Sequence, residues 1–192
     1  MAESDFLSLL SEPFMQRALL GGMLTGALGG VLGSFAVLRQ LSFFSDALGH
    51  SSLLGITLGI LLGVNPTLVL IPFAVLFALL VSQLVERSAL PTDALLNIVY
   101  SSSLAIAILA LSRVETYRGG IQQLLFGDIL GISRLDVIVI AAFLVASVIY
   151  LGLSMRAQVL LTLNQDLAGA MGVHTRWHGL AFVILLAVVV AI

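Results

Sequence analysis

The chain has 192 residues, 60% of them hydrophobic and only 9% charged, with a formal net charge of −2. A soluble domain carries about 25% charged residues, so too few charges exist here to solvate a water-facing surface. The eight basic residues, all arginine, are scattered and form no patch for nucleic acid, and the lack of cysteine excludes disulfides, thiolate metal sites and cysteine nucleophiles.

The N-terminal stretch 1–12 carries Glu3, Asp5 and Glu12 and no base, so it lacks the basic region of a cleavable signal peptide. Residues 6–10 suit a short amphipathic turn at a membrane interface, with Pro13 opening the next element. Apolar blocks follow at 17–38, 44–64, 67–85, 94–112, 135–153 and 179–192. A spanning helix needs about 20 mostly apolar residues, so the first five are predicted to be complete spans and the last an incomplete one. Backbone groups in lipid must be paired internally, and no alternating strand pattern suggests a barrel. The expected fold is therefore an all-α, multi-spanning integral membrane protein, with 1–192 as one transmembrane domain. Asn65-Pro66 makes a tight turn, and Pro91 lies in the short 86–93 connection. In the longer 113–134 connection, residues 121–128 suit a short interfacial or re-entrant helix. Arginines divide four against four between the two possible orientations, so charge does not orient the chain. The last block ends in an apolar run with no polar cap, which predicts that C-terminal helices are missing.

The second block opens on Asp46-Ala47-Leu48-Gly49-His50. A spacing of four places the two ionisable groups on one helix face, about 6 Å apart along the axis. Such groups inside a membrane segment cost roughly 2.5–3.5 kcal/mol each. One reading makes Asp46 a helix cap and His50 a packing residue; the other makes them ligands of a borderline divalent cation. On a helical wheel Asp46, His50 and Thr57 fall within about 40° of one another, and Gly55, Gly59 and Gly63 lie opposite. The glycine face is expected to pack inside the subunit, with the Asp/His face toward a pore or a partner subunit. In the first block Gly22, Gly26, Gly29, Gly30 and Gly33 read as a tight helix-packing face.

Further along, Ser101, Ser102 and Ser103 are expected to bond to helix carbonyls, and Glu86-Arg87 to form an interfacial pair. Within 164–173, Asp166 suits a helix start and Gly172 a helix end. The small residues Ala168, Gly169 and Ala170 fit either a solvated loop helix or a docking helix. His174 and His178 lack a third ligand nearby and read as surface residues. No Walker A, GxSxG or HExxH pattern is present, so the chain is not expected to be an ATPase or hydrolase by itself.

The run from Val37-Leu38-Arg39 to Asp46-Ala47-Leu48-Gly49-His50 closely resembles the hallmark of the zinc/manganese-type permease family of ATP-binding-cassette (ABC) importers. The glycine-rich first helix, Leu124-Leu125-Phe126-Gly127-Asp128-Ile129-Leu130-Gly131 and 166–173 are similar as well, so the likeness extends from about residue 14 onward. The resemblance implies a homodimeric all-helical permease in the bacterial inner membrane. It implies a separate ATP-binding cassette ATPase on the cytoplasmic side and an extracellular or periplasmic metal-binding protein that delivers the ion. Zinc, manganese or iron would be cargo, with no cofactor bound permanently. Asp46 and His50 become the metal residues, and Asp166, Ala168 and Gly172 the ATPase-coupling residues. Residues 156–178 are then cytoplasmic and the N-terminus is outside. Two departures stand out: Ser45 replaces a common Gly, and Leu54-Gly55 replaces a common Pro-Gly. Two subunits related by a two-fold axis would supply two Asp and two His, enough for a cation that takes four or more ligands. The competing readings are a gradient-driven secondary metal carrier or channel, and a permease for chelated iron.

Overall fold

The computed structural model describes residues 12–112 and 131–191, and among them every regular element is helical. In chain order these are α1 (Pro13–Leu38), α2 (Ser42–Leu61), α3 (Pro66–Arg87), α4 (Thr92–Leu111), α5 (Arg134–Leu163), α6 (Gln165–Ala170) and α7 (Thr175–Val190). The first five are long and apolar enough to cross a membrane, and α7, with 16 residues, is shorter. The interfacial helix expected at 121–128 lies outside the described residues.

Helix ends depart from the apolar blocks because caps, not hydrophobicity, set them. Pro13 occupies the first turn of α1, where its missing N–H costs nothing. A capping box starts α5: the Ser133 hydroxyl accepts from the Asp136 N–H at 3.2 Å, and the Asp136 carboxylate accepts from the Ser133 N–H at 2.9 Å. No breaker follows, and α5 runs on for 30 residues, about 45 Å against a hydrocarbon layer of about 30 Å. Asn164 then ends α5 and caps α6, its side chain accepting from the N–H groups of Asp166 (2.8 Å) and Leu167 (3.1 Å).

Three helices end in the same paired hydrogen-bond pattern. At Gly63 and Gly172, with φ of 65° and 81°, glycine supplies the left-handed conformation. At the end of α1 the position is filled by Gln40, φ 58°, where a side chain costs about 1–2 kcal/mol. The turn is closed by Leu41 N–H to Ala36 O at 2.8 Å and Gln40 N–H to Val37 O at 3.0 Å.

The core joins Leu28, Leu32 and Ala36 of α1 to Phe44 and Leu48 of α2, Ala74 and Phe77 of α3, Leu96 of α4, Leu151 of α5, and Phe182 and Leu186 of α7. Large apolar side chains elsewhere point outward, including Met23 at 73% and Leu153 at 87% exposure, as suits a surface solvated by lipid.

The glycine expectations divide. Gly55 packs against α3: a Cβ there would stand 2.8 Å from Phe73 Cγ. Gly63 serves the turn instead and is exposed. On α1, a Cβ added at Gly22, Gly26, Gly29, Gly30 or Gly33 meets nothing within 4 Å. The expected tight packing on that face is not made among the described residues. Gly21 is the α1 glycine with a close neighbour, Ile132 Cδ1 at 2.9 Å. Gly55→Ala should therefore lower the stability of the detergent-solubilised protein by about 1–3 kcal/mol, and Gly26→Ala should lower it not at all. Equal melting temperatures for the two variants would refute this packing.

Candidate functional site

Helix α2 starts at Ser42, with Leu41 in the cap position and no side-chain cap. Asp46 therefore lies in the second turn of the helix and is not its cap. Its Oδ1 lies 3.5 Å from His50 Nε2. Asp46 is 58% exposed and His50 is 32% exposed. The imidazole is backed by Tyr100 of α4, ring centroids 5.2 Å apart, and Tyr100 meets Phe43 edge-on at 6.3 Å. Aromatic contacts on one side and the carboxylate on the other restrict the imidazole's orientation.

This spacing suits a metal ion. Ligand atoms held about 2.0–2.2 Å from a tetrahedral zinc stand about 3.4 Å apart, close to the 3.5 Å observed. Among the described residues no set of three His, Cys, Asp or Glu is placed to hold a metal.

Thr57 does not extend the site as the helical wheel suggested. It is wholly buried and its hydroxyl donates to Leu53 O at 2.7 Å. Helix α4 packs against α2 through Leu53, Ala107 and Leu111. The Ser51 and Ser103 hydroxyls pair across the same interface at 2.6 Å. Ser102 donates to Ile98 O at 2.6 Å, and Ser103 also donates to Tyr100 O at 2.9 Å. Sequence reading missed Tyr100, because no periodicity in one helix announces which ring of another will face it.

The second candidate region is α6. It is a single short helix strung between α5 and α7, with Asp166 in its first turn. Ala168 is fully buried against its own chain, whereas Leu167 and Met171 are half exposed. Gly169 and Ala170 are exposed, so the outward face differs from the small-residue face expected: Ala168 is turned inward. Gly172 closes the helix, its N–H bonding Gly169 O at 3.0 Å while Val173 N–H bonds Ala168 O at 3.0 Å. His174 and His178 are brought to no third ligand among the described residues. The 124–130 motif lies outside the described residues.

The sequence profile of the ABC 3 transport family matches residues 11–192. The chain is 30% identical over 178 residues to the high-affinity zinc uptake system membrane protein ZnuB of Haemophilus influenzae, covering 91% of this chain and 67% of that protein. It is 28% identical over 176 residues to the manganese import system permease protein ScaB of Streptococcus gordonii, covering 92% and 63%. A third relative is the chelated iron transport system membrane protein YfeD of Yersinia pestis, 34% identical over 130 residues, covering 66% and 43%. Among solved structures, PsaBC from Streptococcus pneumoniae in complex with Fab superposes with a TM-score of 0.80 at 25% identity, covering all of this chain and 69% of that one. The chain spans about two thirds or less of the length of these curated relatives.

Proposed function

Because the chain belongs to the ABC 3 transport family, we propose that it is the permease subunit of an ATP-driven importer of a divalent transition-metal ion. Asp46 and His50 of two copies form the site the ion passes. The single observation that carries this reading is the carboxylate–imidazole pair 3.5 Å apart on a membrane helix. Zinc, manganese and ferrous iron all accept such ligands, and the named relatives handle zinc, manganese or chelated iron. The ion is cargo, so no permanent cofactor is required.

The remaining parts follow from the same premise. A separate cytoplasmic ATPase hydrolyses ATP and docks at α6. A binding protein outside the bacterial inner membrane delivers the ion. A second copy of the chain completes the ligand set, since the described residues of one chain bring only this pair together.

A permease for a chelated metal needs no intramembrane ligand pair, and the presence of Asp46 and His50 favours the bare cation over that reading. The test is metal accumulation in cells lacking the gene and in the same cells with the gene restored. Zinc, manganese or iron content should fall and recover with it. Unchanged content of all three would overturn the reading.

A further inference from the structure

Arg39 follows the last residue of α1, outside the membrane-spanning segment, and the ligand chemistry above leaves it unused. Its Nη2 donates to Gln158 O at 3.2 Å and also to Gln158 Oε1. Its guanidinium carbon stands 4.6 Å from the Phe182 ring centroid. Among the described residues no carboxylate pairs with it, and its Nε is buried without a partner. Burial pushes the guanidinium below its ordinary value, although arginine stays charged. A part-buried cation held by an amide and an aromatic ring, with no counter-ion, calls for an explanation.

The contacts form a chain across the bundle. Gln158 is fully buried, and its Nε2 donates to the Tyr150 hydroxyl at 2.8 Å. That hydroxyl donates to His178 O on α7 at 3.4 Å. One side chain thus fastens the α1–α2 turn to both α5 and α7. From Gln158, α5 runs unbroken to Leu163, with Thr162 donating back to Gln158 O at 2.8 Å, and Asn164 caps α6 directly. On the other side, the turn that holds Arg39 leads straight into α2, closed by Leu41 N–H to Ala36 O at 2.8 Å and Phe44 N–H to Leu41 O at 3.0 Å. The strained backbone at Gln40 lies between; such conformations persist where surrounding contacts enforce them. Beside the turn opens a cavity of about 600 Å³, lined by Arg39, Glu86, Gln165 and Arg176 among others. A packed interior would resist movement of this joint; the open space gives it room.

We infer that Arg39 is a positioning residue for transport. Through Gln158 it ties the start of the Asp46/His50 helix to the α5–α6 unit, so that displacement of α6 reaches the metal pair. This role rests on the ATP-driven reading given above. It acts as a stiff mechanical joint between two sites, which is what coupling between them requires.

The experiment measures ATP hydrolysis by the assembled permease–ATPase complex with and without zinc or manganese, together with metal moved per ATP. Arg39→Gln and Gln158→Leu should each reduce metal moved per ATP by about fivefold or more. The double variant should be no worse than either single, because both remove one linkage. Arg39→Lys, which keeps the charge and one donor, should recover part of the loss. Melting temperature and yield of the complex are followed in parallel. Full coupling in Arg39→Gln overturns the role, and so do additive losses in the double variant. Losses that simply track the amount of assembled complex across all variants overturn it too, since a merely structural arginine behaves that way. If the wild-type complex shows no metal-dependent hydrolysis and no uptake, the transport reading itself fails; normal wild-type coupling with unaffected variants removes only Arg39.

Discussion

Asp46→Ala and His50→Ala should each reduce metal accumulation in cells at least about 100-fold, since loss of even an outer-shell partner of a metal site typically costs 10–100-fold. Neither change should reduce the amount of protein in the membrane. Asp46 is 58% exposed, its carboxylate approaches His50 at 3.5 Å, and it caps no helix. Substitutions of that kind usually alter stability by no more than about 0.5 kcal/mol. His50 contacts the Tyr100 ring, so His50→Phe is the better packing control: it keeps an aromatic ring there and removes both nitrogens. Asp46→Asn keeps shape and oxygen but loses the charge, and it should retain a measurable fraction of uptake. Accumulation of radioactive zinc and manganese, normalised to membrane protein by immunoblot, checks all four variants. Wild-type accumulation in both alanine variants would reduce the pair to an incidental ion contact.

The second large effect is expected at Gly172. Its φ of 81° is a conformation in which a side chain costs about 1–2 kcal/mol, and a β-branched residue more. Gly172→Val should therefore break the paired hydrogen bonds that close α6, Gly172 N–H to Gly169 O and Val173 N–H to Ala168 O. The membrane helices bury their cores elsewhere and should remain folded. ATP hydrolysis should persist while metal uptake falls about tenfold or more, the size of a typical coupling free energy. Gly169→Ala is the contrast, because a Cβ there meets nothing within 4 Å among the described residues; an effect of that change on uptake per ATP with the helix intact reports on a docked partner. Parallel measurement of phosphate release and metal uptake decides the matter. Unchanged uptake per ATP in Gly172→Val would show that α6 plays no part in coupling.

Much of this architecture can be read from composition and spacing alone. Long apolar blocks with few charges leave helices as the solution in lipid, and the Gly55 face packs inward as its periodicity implies. What one helix does to another is less legible. The wheel put Thr57 beside His50, yet Thr57 is wholly buried while Asp46 stays open. Ala168 has the size of a docking residue, but its burial is decided by the helices around α6. The α1 glycines signal close approach, and the partner for that approach is not among the described residues. Arg39 and Gln158 are 119 residues apart, and nothing in either neighbourhood points to the other. In each case local sequence states a capacity, and tertiary contact decides its use.

The central claim is that ATP hydrolysis drives a divalent metal past Asp46 and His50. The direct measurement is uptake of radioactive zinc and manganese into proteoliposomes holding the permease with its ATPase and binding protein. The account predicts uptake that requires ATP, survives collapse of ion gradients and disappears in Asp46→Ala. Uptake that continues without ATP and stops when the gradients collapse, or that is equal in Asp46→Ala and wild type, would contradict it.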